Sequence, residues 1–450
     1  MTEETATTTT DVRAGSTTSF TVPMEEVVEW RRHLHAHPEL SFREFETADF
    51  IEELLREWGI TTVRLTPTSV IGTIAGTAGD PETGRVVGFR ADIDALPVQE
   101  ETGLEFASRN PGVMHACGHD VHTAMLLGTA KILQSMRDQL HGKVVCIFQH
   151  AEESLPGGAR ELVAAGAADE LDEVYAFHVA PHPVGHVGIC RGRVSTMSGI
   201  VSIGIRGRGG HSSNPQLSVD PVLVASEATM LLNTIVSRNL DPRHMNIVNV
   251  GALHSGEVGN VIPDTARLEV SIRSVDESDW ESICHRIETL VNGVCAAHGA
   301  QANFEWQIPY PMVVNADRAS DRAWHAAVKA IGEHRVFAAE PWSPSDDFSY
   351  FSREVPGCYM FLGGGGPEVG MPFFLHNSRF DVVERAMNAG VRVEVQIALD
   401  ALAPGFPAAP EMPQDCENRM EPAGILPPRP VKPGFGTPQS KAAEVVKRKL

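Results

Sequence analysis

Four short apolar runs, separated by helical stretches, are the feature that most restricts the fold of this chain. They cover residues 85–89, 143–148, 173–177 and 358–362. Apolar side chains recur at helical spacing before the first run, in residues 45–58, and between the first two runs, in residues 124–133. Short continuous apolar runs that alternate with helices are typical of a buried sheet covered on both faces. The pattern therefore predicts an α/β fold with a mixed, mostly parallel sheet.

A second pattern occupies residues 199–310. Segments there follow the order strand, helix, strand, strand, helix, strand. This is the order of a split βαβ, or ferredoxin-like, unit. We therefore predict that an α+β domain at 199–310 is inserted into a catalytic domain formed by residues 23–198 and 311–403.

The two ends of the chain have a different composition. Residues 1–22 are polar and Thr-rich and lack the basic and apolar regions of a signal peptide. Prolines become frequent from residue 404 onward. We expect disorder at 1–22 and 404–450. Because no apolar stretch approaches eighteen residues, we also expect a soluble, cytoplasmic protein.

The overall charge limits the choice of partner. The chain has 37 basic and 58 acidic residues among 450, a formal net charge of -21. Such a surface disfavours nucleic acid and anionic membranes as main partners. Seven scattered cysteines do not resemble a disulfide framework and favour a reducing compartment. A small-molecule substrate is the expected partner.

Polar residues follow each apolar run at the point where a strand would end. Asp92 follows the first run, Glu152 and Glu153 the second, and His178 the third, while a four-glycine loop beginning at Gly363 follows the fourth. Open sheets of this class bind ligands at the carboxyl ends of their strands. We therefore expect these residues to meet at one edge of the sheet.

The run from His115 to Asp120 contains two potential metal ligands. Cys117 and His119 are two residues apart, and a turn can direct a thiolate and an imidazole toward one ion. A thiolate favours a transition metal over magnesium or calcium. The adjacent Glu152 and Glu153 can diverge, one toward a metal and the other toward a water as general base. Alternatively, the cysteine is simply packed and the glutamates are solvated.

Eight ordered motifs give the chain a family resemblance over roughly residues 25–403. They are RRHLHAHPE from Arg31, RADIDALP from Arg90, HACGHDVHTAMLLG from His115, FQHAEES from Phe148, GRGGHSSNP from Gly207, NVIPDTARLEVSIR from Asn260, SDDF from Ser345 and FFLHN from Phe373. Together they resemble the N-acyl amino acid amidohydrolases related to hippurate hydrolase and the plant auxin-conjugate hydrolases. These enzymes are relatives of the aminoacylase and carboxypeptidase metallopeptidases.

The resemblance implies a set of site residues. The five implied ligands of a metal pair are Cys117, His119, Glu153, His178 and His376. It further implies that Glu152 is the general base and that Asp92 orients the site. We expect two divalent transition-metal ions, zinc or manganese first, with cobalt and nickel as alternatives.

The resemblance also implies roles for the inserted domain. Subunits of these enzymes dimerise through it, so we expect a homodimer in which His211 reaches the partner subunit's site and stabilises an oxyanion. Asn260 and Arg273 are candidates for binding a substrate carboxylate, because an Arg fork suits that group. We interpret the glycine loop beginning at Gly363 as a place where backbone approaches substrate.

These observations predict a di-metal hydrolase that cleaves N-acyl amino acids into a carboxylate and a free amino acid. A dipeptidase or carboxypeptidase on the same scaffold is an alternative. A catalytically inactive metal-binding protein is another, although a purely binding site would not need the base Glu152. A cysteine hydrolase using Cys117 and His119 is a third.

Overall fold

The computed structural model describes residues 20–307, 309–369, 373–405 and 407–413. The helices are α1 Met24–Ala36, α2 Phe45–Glu57, α3 His119–Ser135, α4 Gly158–Ala164, α5 Pro221–Leu232, α6 Thr234–Asn239, α7 Glu277–His298, α8 Asp317–Ile331, α9 Ser349–Glu354 and α10 Met387–Ala401. The strands are β1 Thr61–Val63, β2 Val70–Ala75, β3 Arg85–Asp92, β4 Gly142–Gln149, β5 Glu173–Ala180, β6 Val187–Ile189, β7 Gly192–Arg193, β8 Met197–Arg206, β9 Gly210–His211, β10 Asn246–His254, β11 Val261–Ile262, β12 Thr265–Ser274, β13 Gln301–Trp306, β14 Val314–Asn315, β15 Val336–Ala338 and β16 Gly357–Gly363.

The larger sheet has eight strands in the order β1-β2-β4-β3-β5-β16-β6-β15. Its centre is parallel, because β3 pairs in parallel with β4 and β5, and β5 does so with β16. Antiparallel pairings occur at β1–β2, β2–β4 and β16–β6. The predicted mixed, mostly parallel α/β sheet is confirmed, and the four apolar runs are its four central strands.

Alternate residues of the central strands pack on opposite faces of this sheet. On β4, Val144 and Cys146 belong to the core under α1, α2, α3, α8 and α10, whereas Val145 and Ile147 belong to the core under α4 and α9. This alternation follows from the two-residue repeat of a strand. Because the four central strands are mutually parallel, their carboxyl ends lie along one edge of the sheet.

The inserted segment forms a separate four-stranded antiparallel sheet. Its order is β10-β12-β8-β13, with every neighbouring pair antiparallel. Helices α5 and α7 cover one face and share a core with it that includes Ile203, Leu268 and Ile287. The sequence predicted this succession of strands and helices, and the ferredoxin-like strand order fits it. We call residues 197–306 the lid.

Two details of the predicted boundaries need correction. His178 lies inside β5, two residues before its end, and not after the strand. The fold also continues past residue 403: Met412 is buried in the main core, and its amide N–H donates to Asp321. An apolar side chain among prolines is therefore enough to hold this part of the predicted tail. Residues 1–19 and 414–450 lie outside the described part of the chain.

Among the described residues, no helix combines the length and the apolar character needed to cross a membrane.

A buried glutamate in the main core yields a prediction about stability. Glu394 on α10 is fully buried and accepts a 2.5 Å hydrogen bond from Thr129 Oγ1 of α3. Burial raises the pKa of Glu394 from 4.5 to about 8. The folded state therefore holds a proton that the unfolded chain releases above pH 4.5, so this group's contribution to stability falls as the pH rises from 4.5 to about 8.

We expect Glu394→Gln to remove that pH dependence, because glutamine stays neutral. Its gain in unfolding free energy over the unsubstituted protein should be small at pH 5 and reach about 3 kcal/mol at most near pH 7, since one pKa unit corresponds to about 1.4 kcal/mol. Urea unfolding at several pH values measures this gain. Glu53→Gln, on the exposed side of α2, is the control. A gain that does not change between pH 5 and pH 8 would contradict the prediction.

Candidate metal centre

The five predicted ligands meet at the carboxyl edge of the larger sheet. Cys117 and His119 lie at the start of α3, and Glu153 follows β4. Three groups of donor atoms each lie within 4.8 Å of one another: Cys117, His119 and His178; Cys117, Glu153 and His376; and His119 with Glu152 and Glu153. The structure thus brings all five predicted ligands and the predicted base together.

Local backbone conformation explains how the ligands are presented. Gly118 has φ 92°, and a Cβ there would lie 2.5 Å from Val179 Cγ2. Glycine is therefore required between Cys117 and His119. Ala151 and His376 also have positive φ, 53° and 64°. Such conformations cost energy in residues other than glycine and recur at functional sites.

Both buried histidine ligands are oriented through their Nδ1 atoms. His119 Nδ1 lies 2.9 Å from the carbonyl oxygen of Asp94, and His178 Nδ1 lies 2.7 Å from that of Val179. Since a carbonyl only accepts, each Nδ1 carries a proton, and each Nε2 faces the site as the atom whose lone pair can bind a metal in place of a proton. His178 Nε2 is 3.4 Å from Cys117 Sγ, and His119 Nε2 is buried without a hydrogen-bond partner. These lone pairs suit metal coordination.

The electrostatics of the centre favour a positive charge. Burial alone would lower the pKa of His119, but Asp92, Asp94 and Glu153 raise it to about 10. For His178, burial and then His122 hold the pKa well below its usual value, so this imidazole is neutral. The carboxylates that favour a proton on His119 equally favour a cation at the same place.

The thiol of Cys117 fits a metal ligand better than a nucleophile. Burial raises its pKa well above the ordinary value, and Glu153, Glu152 and Asp92 raise it further. A catalytic cysteine needs the opposite shift, toward a stable thiolate. A divalent cation would supply the missing stabilisation. With imidazole and carboxylate donors beside it, this sulfur selects a transition metal.

The two glutamates differ in setting although they are adjacent. Glu153 Oε1 lies 3.2 Å from His376 Nε2 and 3.9 Å from His119 Nε2. The side chain of Glu152 is buried in the cleft wall. Burial raises the pKa of Glu152 well above its ordinary value, and Asp346, Glu153 and Asp347 add to the shift. A raised pKa makes this carboxylate a better proton acceptor.

Asp92 supports the centre through a network around Arg90. Its Oδ1 accepts a 2.6 Å hydrogen bond from His122 Nδ1, and its Oδ2 one of 2.6 Å from Arg90 Nη1. His122 Nε2 accepts from the N–H of Val179, so both nitrogens of His122 are occupied and this ring is not a free ligand. Asp92 Oδ2 is 3.7 Å from His119 Nε2. This position agrees with its predicted orienting role.

The sequence-based prediction missed the far side of this network. Arg90 Nη2 donates to Asp347 at 2.8 Å and lies 3.3 Å from Asp346 Oδ1. Gln149 Nε2 donates to both oxygens of Asp347. Arg90 is fully buried, and these carboxylates keep its pKa above the ordinary value against burial. The SDDF motif, which contains Asp346 and Asp347, was the available signal. No role was predicted for these two aspartates because their spacing is not that of metal ligands.

Four of the five ligands line a cleft of about 470 Å³ between the larger sheet and the lid, namely Cys117, Glu153, His178 and His376. Arg273, on β12 of the lid, reaches it and donates to Ser345 Oγ at 3.0 Å. Burial lowers the pKa of Arg273, and no carboxylate offsets this effect. Ile247 of the lid and Phe374 of the catalytic domain form an exposed apolar rim. The cleft therefore combines metal donors at its floor, an apolar mouth and an arginine that, within the described part of the chain, has no carboxylate partner.

Three predicted residues do not line this cleft. His211 and Asn260 are exposed on the lid, where β9 pairs with β11. Gly363 ends β16 with its N–H donated to His186 and its carbonyl accepting from Gly185. Because this backbone is already satisfied, the structure does not support the predicted approach of substrate to Gly363. The fourth apolar run contributes sheet structure at this point and not a binding loop.

Comparisons with known proteins agree with this geometry. An N-acyl-L-amino acid amidohydrolase of Geobacillus stearothermophilus is 42% identical over 308 residues, which are 68% of this chain and 82% of that protein. Thermostable carboxypeptidase 1 of Saccharolobus solfataricus is 34% identical over 387 residues, 84% of this chain and 96% of that protein.

A solved structure is similar over the same region. The YXEP protein of Bacillus subtilis, described as a dinuclear metal binding peptidase from the M20 family, aligns with a TM-score of 0.70 at 32% identity and covers 84% of this chain and 98% of its own. The model of Peptidase family M20/M25/M40 matches residues 88–400. Since that match covers well over half of the chain, the protein belongs to this family.

Proposed function

We propose that this protein hydrolyses the amide bond of N-acyl amino acids with two divalent transition-metal ions. The observation that carries the proposal is the convergence of five donor side chains and an additional buried carboxylate, Glu152, on one cleft. The donors that would hold the ions are Cys117, His119, Glu153, His178 and His376. When bound, such ions acidify a water molecule and polarise a carbonyl oxygen.

The protein's own residues supply the proton transfers and the binding contacts. Glu152 takes a proton from the attacking water and delivers it to the nitrogen of the leaving amino acid. Asp92, held by hydrogen bonds from Arg90 and His122, orients the site beside the ligand His119. Arg273 binds the substrate carboxylate, because it lies in the cleft and no carboxylate of the described residues pairs with it.

The apolar rim of the cleft supports an acyl group on that side of the substrate. Phe374 is 52% exposed and Ile247 42% exposed, although both are apolar. Burial of such side chains by a ligand is favourable. An N-acyl amino acid has an apolar acyl end and a carboxylate end. A dipeptide has a charged amine in place of the apolar acyl end. This difference favours an amidohydrolase over a dipeptidase.

A homodimer would give a role to the lid residues that do not line the cleft of their own subunit. Helix α5 exposes Leu223 and Met230, 54% and 74% exposed, and β10 is an edge strand of the lid sheet. Exposed apolar side chains beside an unpaired edge are typical of an association surface. We infer that His211 of the partner subunit completes the site and stabilises the developing oxyanion, and that Asn260 helps to bind the substrate carboxylate.

The role of Glu152 predicts the effect of Glu152→Gln. Glutamine cannot accept the proton, so we expect kcat to fall about 100- to 10,000-fold, the usual contribution of a general base. Metal content, measured by elemental analysis, should stay at the parent level because Glu152 is not among the five ligands. Glu161→Gln, on a largely exposed side chain, is the control. Retained turnover would remove Glu152 from this role.

The metal requirement separates this function from a thiol mechanism. We expect a chelator to abolish hydrolysis of N-acetyl and N-benzoyl amino acids, and zinc, manganese, cobalt or nickel to restore it. A cysteine hydrolase would remain active after chelation and would be inactivated by alkylation of Cys117 in the metal-free protein. The same assay with dipeptides distinguishes the peptidase alternative.

Mixing two inactive variants tests the shared site. Glu152→Gln and His211→Ala should each be inactive as pure preparations. In a mixed dimer, the chain with intact Glu152 receives His211 from its partner, so random exchange of subunits should restore about a quarter of the parental activity. Size-exclusion chromatography with light scattering gives the oligomeric state. A mixture that stays inactive although subunits exchange would contradict a site shared between subunits.

A further inference from the structure

The segment that leads back from the lid passes directly beside the predicted base. Tyr310 lies in this segment, shortly after β13, and its side chain is buried in the cleft wall. Its hydroxyl donates a 2.7 Å hydrogen bond to the carbonyl oxygen of Glu152. A residue at the domain junction thus holds the peptide unit that carries the base.

The backbone of Tyr310 is fixed by the other strand that joins the domains. Its N–H donates to the carbonyl of Ser198 at 2.9 Å, and the N–H of Ser198 donates to the carbonyl of Tyr310 at 3.1 Å. Ser198 lies near the start of β8, where the chain enters the lid. Both crossings between the domains therefore meet at this pair, and the hydroxyl of Tyr310 extends from it to Glu152.

Two carboxylates hold the backbone on the two sides of Glu152. Glu44 Oε1 accepts the N–H of Ala151 at 2.8 Å, and Asp94 Oδ2 accepts the N–H of Glu153 at 3.0 Å. Ala151 has a positive φ of 53°, so the turn is strained and depends on these contacts. The hydrogen bond from Tyr310 acts on the peptide unit directly after the Cα atom of Glu152, at its carbonyl oxygen.

We propose that Tyr310 is a positioning residue for Glu152, which it orients from the paired strands at the domain junction. The proposal rests on the function of Glu152 proposed above. The hydroxyl of Tyr310 already donates to a protein carbonyl, so its effect passes through Glu152 and not through the substrate. Asp94 holds the same peptide unit through the N–H of Glu153, so the ligand Glu153 keeps this anchor when the hydroxyl of Tyr310 is removed.

Tyr310→Phe tests this role, since it removes the hydroxyl and keeps the ring. We expect kcat for an N-acyl amino acid to fall about 5- to 20-fold, in line with the loss of one orienting hydrogen bond. KM should change less than about twofold because substrate contacts are unaffected. Metal content by elemental analysis should equal that of the parent.

Tyr350→Phe is a matched control. Its hydroxyl donates at 3.1 Å to the carbonyl of Pro309, the residue before Tyr310, and so makes the same kind of bond in the same segment without touching Glu152. Both variants should lower the thermal midpoint similarly, but only Tyr310→Phe should lower kcat. Equal kcat in the two variants, or a raised KM with kcat unchanged in Tyr310→Phe, overturns the role of Tyr310. An inactive parent enzyme would instead overturn the proposed function.

Discussion

The concentration of buried negative charge at the carboxyl edge of the larger sheet is the constraint on which this structure depends. Asp92, Asp346 and Asp347 are buried there beside Glu152. Arg90 is the buried cation that contacts all three aspartates. Uncompensated buried charges are very costly. Arg90 neutralises part of this negative charge on the side of the aspartates away from the cleft, which we call the rear. The histidine and thiol donors lie on the cleft side, the front, where divalent cations would neutralise the rest.

This division explains why the site is built from two layers. The rear layer consists of buried side chains around Arg90 that hydrogen-bond to one another and to nearby backbone, as Gln149 does with Asp347. The front layer consists of the metal donors, and these are anchored through a second atom. His119 and His178, for example, are held through Nδ1 and leave Nε2 for a metal. Fixed outer contacts orient ligands and raise the precision of a metal site. The lid lies over the front layer, where Arg273 and the apolar rim line the cleft.

Features encoded by neighbouring residues could be predicted from the sequence, whereas contacts between residues far apart in the chain could not. Apolar runs identify β3, β4, β5 and β16 because burial of a strand is visible in a few consecutive residues. The ligand set came from motifs that keep their donors at fixed spacing. Arg90 and Asp347 are 257 positions apart, and no periodicity links them. Gly363 was misassigned because a glycine run gives no sign of whether its backbone is free. Met412 was missed because proline content dominated its surroundings.

The position of β16 has a consequence for how the molecule is made. This strand lies between β5 and β6, yet it follows them by more than a hundred and sixty residues. During synthesis, the lid has all four of its strands available before β16 leaves the ribosome. The catalytic sheet cannot pair internally across that gap until the carboxyl-terminal part arrives. Because domains generally fold as units during translation, the inserted domain can complete its sheet before its host does.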